Sequence, residues 1–152
     1  MEFILQGIME FLKIYLDPLV FSILGFMALL VVYFSIERFM FFTRLQFEKY
    51  TDVKELEEDV SKNLTLLYIV YSNAPYVGLL GTVVGIMIVF YDMGGSGNID
   101  VNSITLGLSM ALKATALGLV VAIPTLMIYN AFLRVADTKV NRFKILNKKH
   151  ID

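Results

Sequence analysis

Cysteine and tryptophan are absent from the 152 residues, and histidine occurs once. Without cysteine, the chain has no disulfides, no thiolate catalysis and no thiolate metal sites. The single histidine, His150, lies in a polar C-terminal segment far from any second ligand, so neither a metal nor a cofactor is expected. Charged residues make up only 18% and the formal net charge is −1, so the chain lacks the excess of positive charge that is typical of nucleic-acid-binding proteins.

The combinations that support enzymatic chemistry are also missing. There are no paired carboxylates in an apolar setting and no nucleophile beside a base, so an enzyme is not predicted. What the chain has instead is apolar residues, at 57%, well above the norm for soluble domains. Three long runs are apolar enough to cross a bilayer as helices. The predicted fold is an all-α integral membrane protein with three transmembrane helices, an N-terminal interfacial helix and helices that extend into the cytoplasm.

The predicted organisation is one membrane domain over residues 1–152. Its segments are an amphipathic surface helix (1–16), the first span (18–42), a short cytoplasmic helical segment (43–63), the second span with a cytoplasmic extension (64–91), a periplasmic loop (92–102), the third span (103–133) and a basic cytoplasmic tail (134–152).

Local signals predict where the helices are interrupted. Asp17–Pro18 has the composition of a helix start, and the proline in Asn73–Pro75 indicates a break before the second span. The glycines within residues 92–98 predict a turn. Three polar residues after that turn are candidate caps for the last helix: Asp100, Asn102 and Ser103.

Basic residues predict the orientation in the membrane. Five Lys/Arg lie between spans one and two, counted from Arg38, and six lie in the tail, whereas the loop between spans two and three has none. Cytoplasmic loops carry the excess of Lys/Arg. The N-terminus is therefore predicted to be periplasmic and the C-terminus cytoplasmic.

Two of the predicted spans carry stripes of small residues, which let helix backbones approach closely in lipid. The stripes consist of Gly78, Gly81, Thr82 and Gly85 on span two, and of Ala111, Ala114, Thr115, Gly118, Ala122 and Thr125 on span three. Two interpretations stay open. The stripes are packing seams with satisfied hydroxyls, or Thr82 and Thr115 line a polar cavity in which they order water or hand on a proton.

Two charged residues lie in or at the end of a span, where charge is costly and often functional. Lys113 lies near the outer end of span three, where its side chain could reach the headgroups or pair with Asp92 or Asp100. Both Lys113 and Asp92 are possible charge sites. No carboxylate lies at the centre of any span, although a proton carrier needs a group that titrates there.

Two long motifs resemble the signatures of the ExbB/TolQ/MotA proton-channel family. They are residues 74–86 in span two and residues 111–124 in span three, the latter followed by Tyr129 and Asn130; Glu37–Arg38 at the end of span one also fits. The chain is most similar to the ExbB branch. The resemblance implies an inner-membrane homo-oligomer, a pentamer, set in lipid. It would enclose helices of a smaller ExbD-like single-span protein that carries the titrating aspartate.

The family pattern assigns Thr82 and Thr115 to the proton pathway. It implies a stator subunit that couples proton flow to a TonB-like protein and transport across the outer membrane. A TolQ-like role in envelope integrity and a non-conducting helical scaffold are the alternatives. The sequence departs from the pattern at Met110, where many members have Glu, and in its short cytoplasmic loop.

Overall fold

The computed structural model describes residues 2–96 and 101–148, and within these ranges it contains helices and no strand. The α-helices are α1 (Glu2–Arg44), α2 (Val53–Ser61), α3 (Leu64–Ser96) and α4 (Val101–Lys148), with one 3-10 turn at Phe47–Lys49. Three of the helices are long and apolar enough to cross a membrane. The prediction of an all-α protein with three spans is confirmed.

The long helices expose large apolar side chains on the outside of the bundle. Examples on the three helices are Leu29, Phe90 and Met127, each more than 60% exposed. Contiguous apolar surface of this kind is unfavourable in water and favourable against lipid or another transmembrane helix.

α1 runs without a break through Pro18, so the predicted helix start at Asp17–Pro18 is wrong. Proline removes one backbone hydrogen bond, but opening the helix at the edge of the hydrocarbon would leave further backbone groups without partners. A continuous helix is therefore the less costly solution. The location of residues 1–16 at the membrane interface stays a prediction.

α3 likewise continues through Pro75, so the predicted break at Asn73–Pro75 is wrong. It also continues through Gly94 and Gly95 to Ser96, where the glycines had predicted a turn. Residues 97–100, the remainder of that predicted turn, lie outside the described residues. The side chain of Asn73 is accommodated within the helix, because its amide donates to the Ile69 carbonyl at 2.7 Å.

α4 begins at Val101, which places Asn102 and Ser103 inside its first turn rather than before it as caps; Asp100 is not among the described residues. The helix has 48 residues and includes Pro124. At 1.5 Å per residue it is about 72 Å long, far more than the hydrocarbon thickness. The predicted third span and most of the predicted basic tail therefore form one helix.

The bundle has two ends, which we name by their chemistry. The basic end contains the C-terminus of α1, α2 and the C-terminal part of α4; the loop end lies near the α3–α4 connection. At the basic end, α2 buries Leu56 and Val60 in a cluster that also contains Phe42 and Val140. A second cluster, around Val20, Leu24, Ala74, Ala114 and Ala122, holds the three long helices together.

Candidate functional site

The glycines of α3 lie directly against α4. A Cβ atom added at Gly78 would lie 2.6 Å from the Ala114 carbonyl oxygen. At Gly81 it would lie 2.7 Å from the Ala114 Cβ, and at Gly85 it would lie 2.8 Å from the Ala111 Cβ. No side chain longer than hydrogen fits at these positions unless the two helices move apart.

The small residues of α4 complete the same contact. A Cβ at Gly118 would lie 2.7 Å from the Ala74 carbonyl oxygen. Ala111, Ala114 and Ala122 are all buried. Thr125 is fully buried, and its hydroxyl donates to the Val121 carbonyl of its own helix at 2.6 Å. Both predicted stripes therefore face each other inside one chain, and we call this contact the α3–α4 seam.

Thr82 and Thr115 meet within the seam. Their hydroxyl oxygens lie 2.5 Å apart, and either hydroxyl can be the donor. Thr82 is only 7% exposed, whereas Thr115 is half-buried. Backbone carbonyls surround the pair. The Thr82 hydroxyl lies 3.0 Å from the Ala111 oxygen and 3.4 Å from the Gly78 oxygen, and the Thr115 hydroxyl lies 3.3 Å from the Gly78 oxygen.

This geometry allows two hydrogen-bond arrangements. In one, Thr115 donates to Thr82, which donates to the Ala111 carbonyl; in the other, Thr82 donates to Thr115, which donates to the Gly78 carbonyl. Each hydroxyl can donate one hydrogen bond and accept others, so the pair can change from one arrangement to the other. Such a pair can hand on a proton, but it cannot hold one as a carboxylate does, because hydroxyls do not titrate near neutral pH.

The charges define a layer across the bundle. α1 has none within 18–36, and α4 has none within 114–133. At 1.5 Å per residue each stretch spans about 30 Å, the hydrocarbon thickness of a bilayer. α3 contains no charged residue before Asp92. We call this the charge-free layer. Among the described residues it contains no carboxylate, amine, guanidinium or imidazole.

Contacts between the helices locate the threonines in this layer. Gly81 lies against both Val20 of α1 and Ala114 of α4, so these residues are at one height. Val20 and Ala114 are close to the loop end of their charge-free stretches. Thr82 and Thr115, which neighbour Gly81 and Ala114 in sequence, therefore lie in the part of the layer nearer the loop end.

The structure resolves the partner of Asp92. Asp92 forms an ion pair with Lys13 of α1, not with Lys113, so the suggested pairing of Lys113 with Asp92 is wrong. The reason is that α1 continues past Pro18 and brings Lys13 beside the end of α3. Lys113 is exposed and has no ion pair within residues 2–96 and 101–148. Met110, at the position where many family members have Glu, is 45% exposed.

A buried charged group at the basic end was not anticipated. Arg38 is 2% exposed and donates to both Glu37 oxygens, at 2.7 and 2.8 Å, and to the Asp59 carbonyl at 2.9 Å. The Asn63 amide donates to Glu37 at 3.0 Å. Asn63 has a φ of 62°, a left-handed conformation that asparagine tolerates better than most residues. These contacts fasten the α2–α3 turn to α1. Two features of the sequence could have indicated this contact. They are the charged pair Glu37–Arg38 at the end of span one and Asn63 after α2.

Three long apolar helices around a charge-free layer define a multi-pass membrane protein. The profile of the MotA/TolQ/ExbB proton channel family matches residues 43–145, more than half of the chain. The chain belongs to this family, which is a family of transport channels rather than of enzymes.

Individual relatives agree with this assignment. The chain is 54% identical over 138 residues to the Biopolymer transport protein ExbB of Helicobacter pylori, covering 91% of this chain and 95% of that protein. It is 41% identical over 132 residues to the protein of the same name from Aquifex aeolicus, with 87% and 89% covered. It is 38% identical over 87 residues to the Tol-Pal system protein TolQ of Pseudomonas aeruginosa, with 57% and 38% covered. The predicted resemblance to the ExbB branch is confirmed.

Proposed function

We propose that this protein is the proton-conducting stator subunit of an inner-membrane motor, and that Thr82 and Thr115 form its contribution to the proton pathway. The observation that carries the proposal is the pair of hydroxyls 2.5 Å apart across the α3–α4 seam. A packing seam needs small residues but has no need for two hydroxyls in contact. Two hydroxyls with alternative acceptors supply a short relay within a layer that has no charged side chain among the described residues.

The proposal requires a titrating group from another chain. A proton that crosses the layer must bind on one side and leave on the other, and the described part of this chain has no group in the layer that does so near neutral pH. We propose that an ExbD-like single-span protein brings an aspartate into a homo-oligomer, a pentamer, of this subunit. One charge that moves through 100 mV releases about 2.3 kcal/mol, so several protons could drive a mechanical step.

The step would act on a TonB-like protein and so energise transport across an outer membrane. This assignment is supported by similarity to the proteins named biopolymer transport protein ExbB, at 54% identity over most of both chains for one of them. The excess of Lys/Arg at the basic end supports a cytoplasmic location for that end and a periplasmic N-terminus.

The test removes each hydroxyl without changing side-chain volume. In vesicles that contain the complex with its single-span partner, Thr82→Val and Thr115→Val should lower proton flux, measured with an internal pH dye under an imposed voltage. Thr125→Val is the matched control, because Thr125 is buried on the same seam but its hydroxyl bonds only within its own helix. Full flux in both Thr82→Val and Thr115→Val would contradict the proposed pathway.

A second experiment tests the need for the partner. The subunit alone should leak protons no faster than empty vesicles, and flux should appear only when the partner is added. Lys113 is a cation at the edge of the layer nearer the loop end and could act instead. Steady flux from the subunit alone that disappears in Lys113→Met would show that Lys113 is the carrier.

A TolQ-like role in envelope integrity is the second candidate, favoured by the similarity to TolQ over 87 residues. Complementation separates the two roles. A strain lacking its ExbB should recover TonB-dependent uptake, whereas a strain lacking its TolQ should stay sensitive to detergent. A non-conducting scaffold would give no flux with any partner.

A further inference from the structure

A groove lies at the basic end, where α1 meets the 3-10 turn that follows it. Its volume is about 370 Å³. We call it the basic groove, and the residues that line it are Glu37, Met40, Phe41, Arg44, Leu45, Gln46, Lys49 and Tyr50. Its apolar wall consists of Met40, Phe41 and Leu45. Two cations, Arg44 and Lys49, also line it, and both are exposed.

The height of the groove matches that of lipid headgroups. The charge-free stretch of α1 ends at Glu37, and Arg44 lies about 10 Å further along the helix. From Asp17 to Arg44 the helix measures about 40 Å, close to the thickness of a bilayer including its headgroups. Arg44 and Lys49 therefore lie where lipid phosphates lie, while Met40 is at the edge of the hydrocarbon.

The acidic and phenolic groups of the groove are already engaged. Glu37 accepts hydrogen bonds from Arg38 on both oxygens and from Asn63. The Tyr50 hydroxyl donates to Asp59 at 3.0 Å. Arg44 and Lys49, in contrast, have no ion pair within the described residues. The groove thus presents two uncompensated positive charges next to an apolar wall.

We propose that the basic groove binds an anionic phospholipid of the leaflet at the basic end. The phosphodiester would lie between the guanidinium of Arg44 and the ammonium of Lys49, and an acyl chain would follow Met40 and Phe41 into the hydrocarbon. Guanidinium and ammonium groups are the side chains that bind phosphate. An anionic peptide would neutralise the cations but would leave the apolar wall, which continues into the membrane, without a partner.

Because the chain has no tryptophan, a single introduced tryptophan can serve as a site-specific fluorescent probe. We would introduce Met40→Trp into the full-length protein and reconstitute it in phosphatidylcholine vesicles. Acyl-chain-brominated phosphatidylglycerol or phosphatidylcholine, at equal mole fraction, would then quench its fluorescence. Each cation at a membrane surface favours an anionic lipid by about fivefold. We expect phosphatidylglycerol to be preferred at residue 40 by about five- to 25-fold, for contact of the phosphate with one or both cations. At Phe39→Trp, a neighbouring exposed position outside the groove, the preference should be less than twofold.

Two double variants then distinguish a specific lipid-binding site from a general electrostatic attraction of anionic lipid to the protein surface. Arg44→Gln with Lys49→Gln in the Met40→Trp background should abolish the preference. Lys54→Gln with Arg142→Gln removes the same charge from exposed positions outside the groove and should leave it intact. The proposal is overturned if both lipids quench equally at residue 40, or if the two double variants behave alike. It is also overturned if neither lipid reaches residue 40 while both reach residue 39, because protein would then cover the groove.

Discussion

Gly78→Ala is the smallest change that should separate α3 from α4. The added Cβ would lie 2.6 Å from the Ala114 carbonyl oxygen and 3.0 Å from the Thr115 Cα, and both of these are backbone atoms that cannot rotate away. Reaching an ordinary contact of about 3.4 Å requires the two helices to separate by about 0.8 Å. The same displacement would stretch the bond from Thr82 to the Ala111 carbonyl from 3.0 Å to near 3.8 Å, beyond hydrogen-bonding distance.

The energetic consequence has three parts. Overpacking a close contact costs about 1–3 kcal/mol. Loss of one hydrogen bond between transmembrane helices adds about 0.6 kcal/mol. The better helix propensity of alanine offsets about 1 kcal/mol of this destabilisation. The free energy of unfolding of Gly78→Ala should therefore fall by about 0.5–2.5 kcal/mol.

Gly94→Ala is the matched control, because Gly94 lies in the same helix and has no neighbour within 4 Å of an added Cβ. It should leave stability unchanged or raise it by up to about 1 kcal/mol. Unfolding of the purified protein by SDS, followed by circular dichroism, measures both variants against the parent. If Gly78→Ala is as stable as Gly94→Ala, the helices are not in backbone contact at this seam and the reasoning fails.

Three further predictions concern the basic end and the topology. Arg38→Met should lower the free energy of unfolding by about 2–4 kcal/mol, because it strips Glu37 of its buried partner; an unchanged denaturation midpoint would contradict this. Burial and the hydrogen bond to Asp59 raise the pKa of Tyr50 from 10.0 to about 12, so its stabilisation is complete below pH 10 and is lost between pH 10 and 12. The difference in unfolding free energy between the parent and Tyr50→Phe should shrink over that range, and a constant difference would refute it. In the cysteine-free chain, Ser96→Cys should label from outside the cell, and Asp52→Cys and Asn147→Cys only after permeabilisation; the reverse pattern would invert the topology.

The number of spans was predictable because it depends on run length and on charge, both of which can be counted in the sequence. The choice of the seam residues was predictable for a similar reason. Only small residues allow close backbone contact in lipid, and helical spacing places Gly78 and Gly85 on one face.

The helix boundaries were not predictable from local signals, because proline and glycine preferences reflect helices in water. In a bilayer the alternative to a helix is an unpaired backbone, which costs more than the defect at Pro18 or Pro75. The partner of Asp92 depended on this error. With α1 predicted to begin at Pro18, Lys13 was assigned to a separate surface helix, and Lys113 was the cation left to consider.

The distance between Thr82 and Thr115 could not be predicted either, because it depends on how far α4 is shifted along α3. That register is set by the contacts of Gly78 with Ala114 and of Gly118 with Ala74. A shift of one residue in either helix would rotate a threonine away from the other. The contact between the two hydroxyls is therefore a consequence of the packing at the seam.

The seam also limits how this subunit can contact other helices. In many membrane proteins a GxxxG pair marks the surface where two chains dimerise. Here the backbone faces of Gly81 and Gly85 are occupied by Ala114 and Ala111 of the same chain, so they are not available to a second chain. The faces of α3 and α4 that remain exposed carry large apolar residues, among them Leu79, Val83, Leu119 and Val120. A helix packed there would contact mainly apolar side chains rather than the backbones of α3 and α4. A carboxylate on such a helix would find its hydrogen-bond partners only where the surface is interrupted, and half-buried Thr115, backed by Thr82, is such a point.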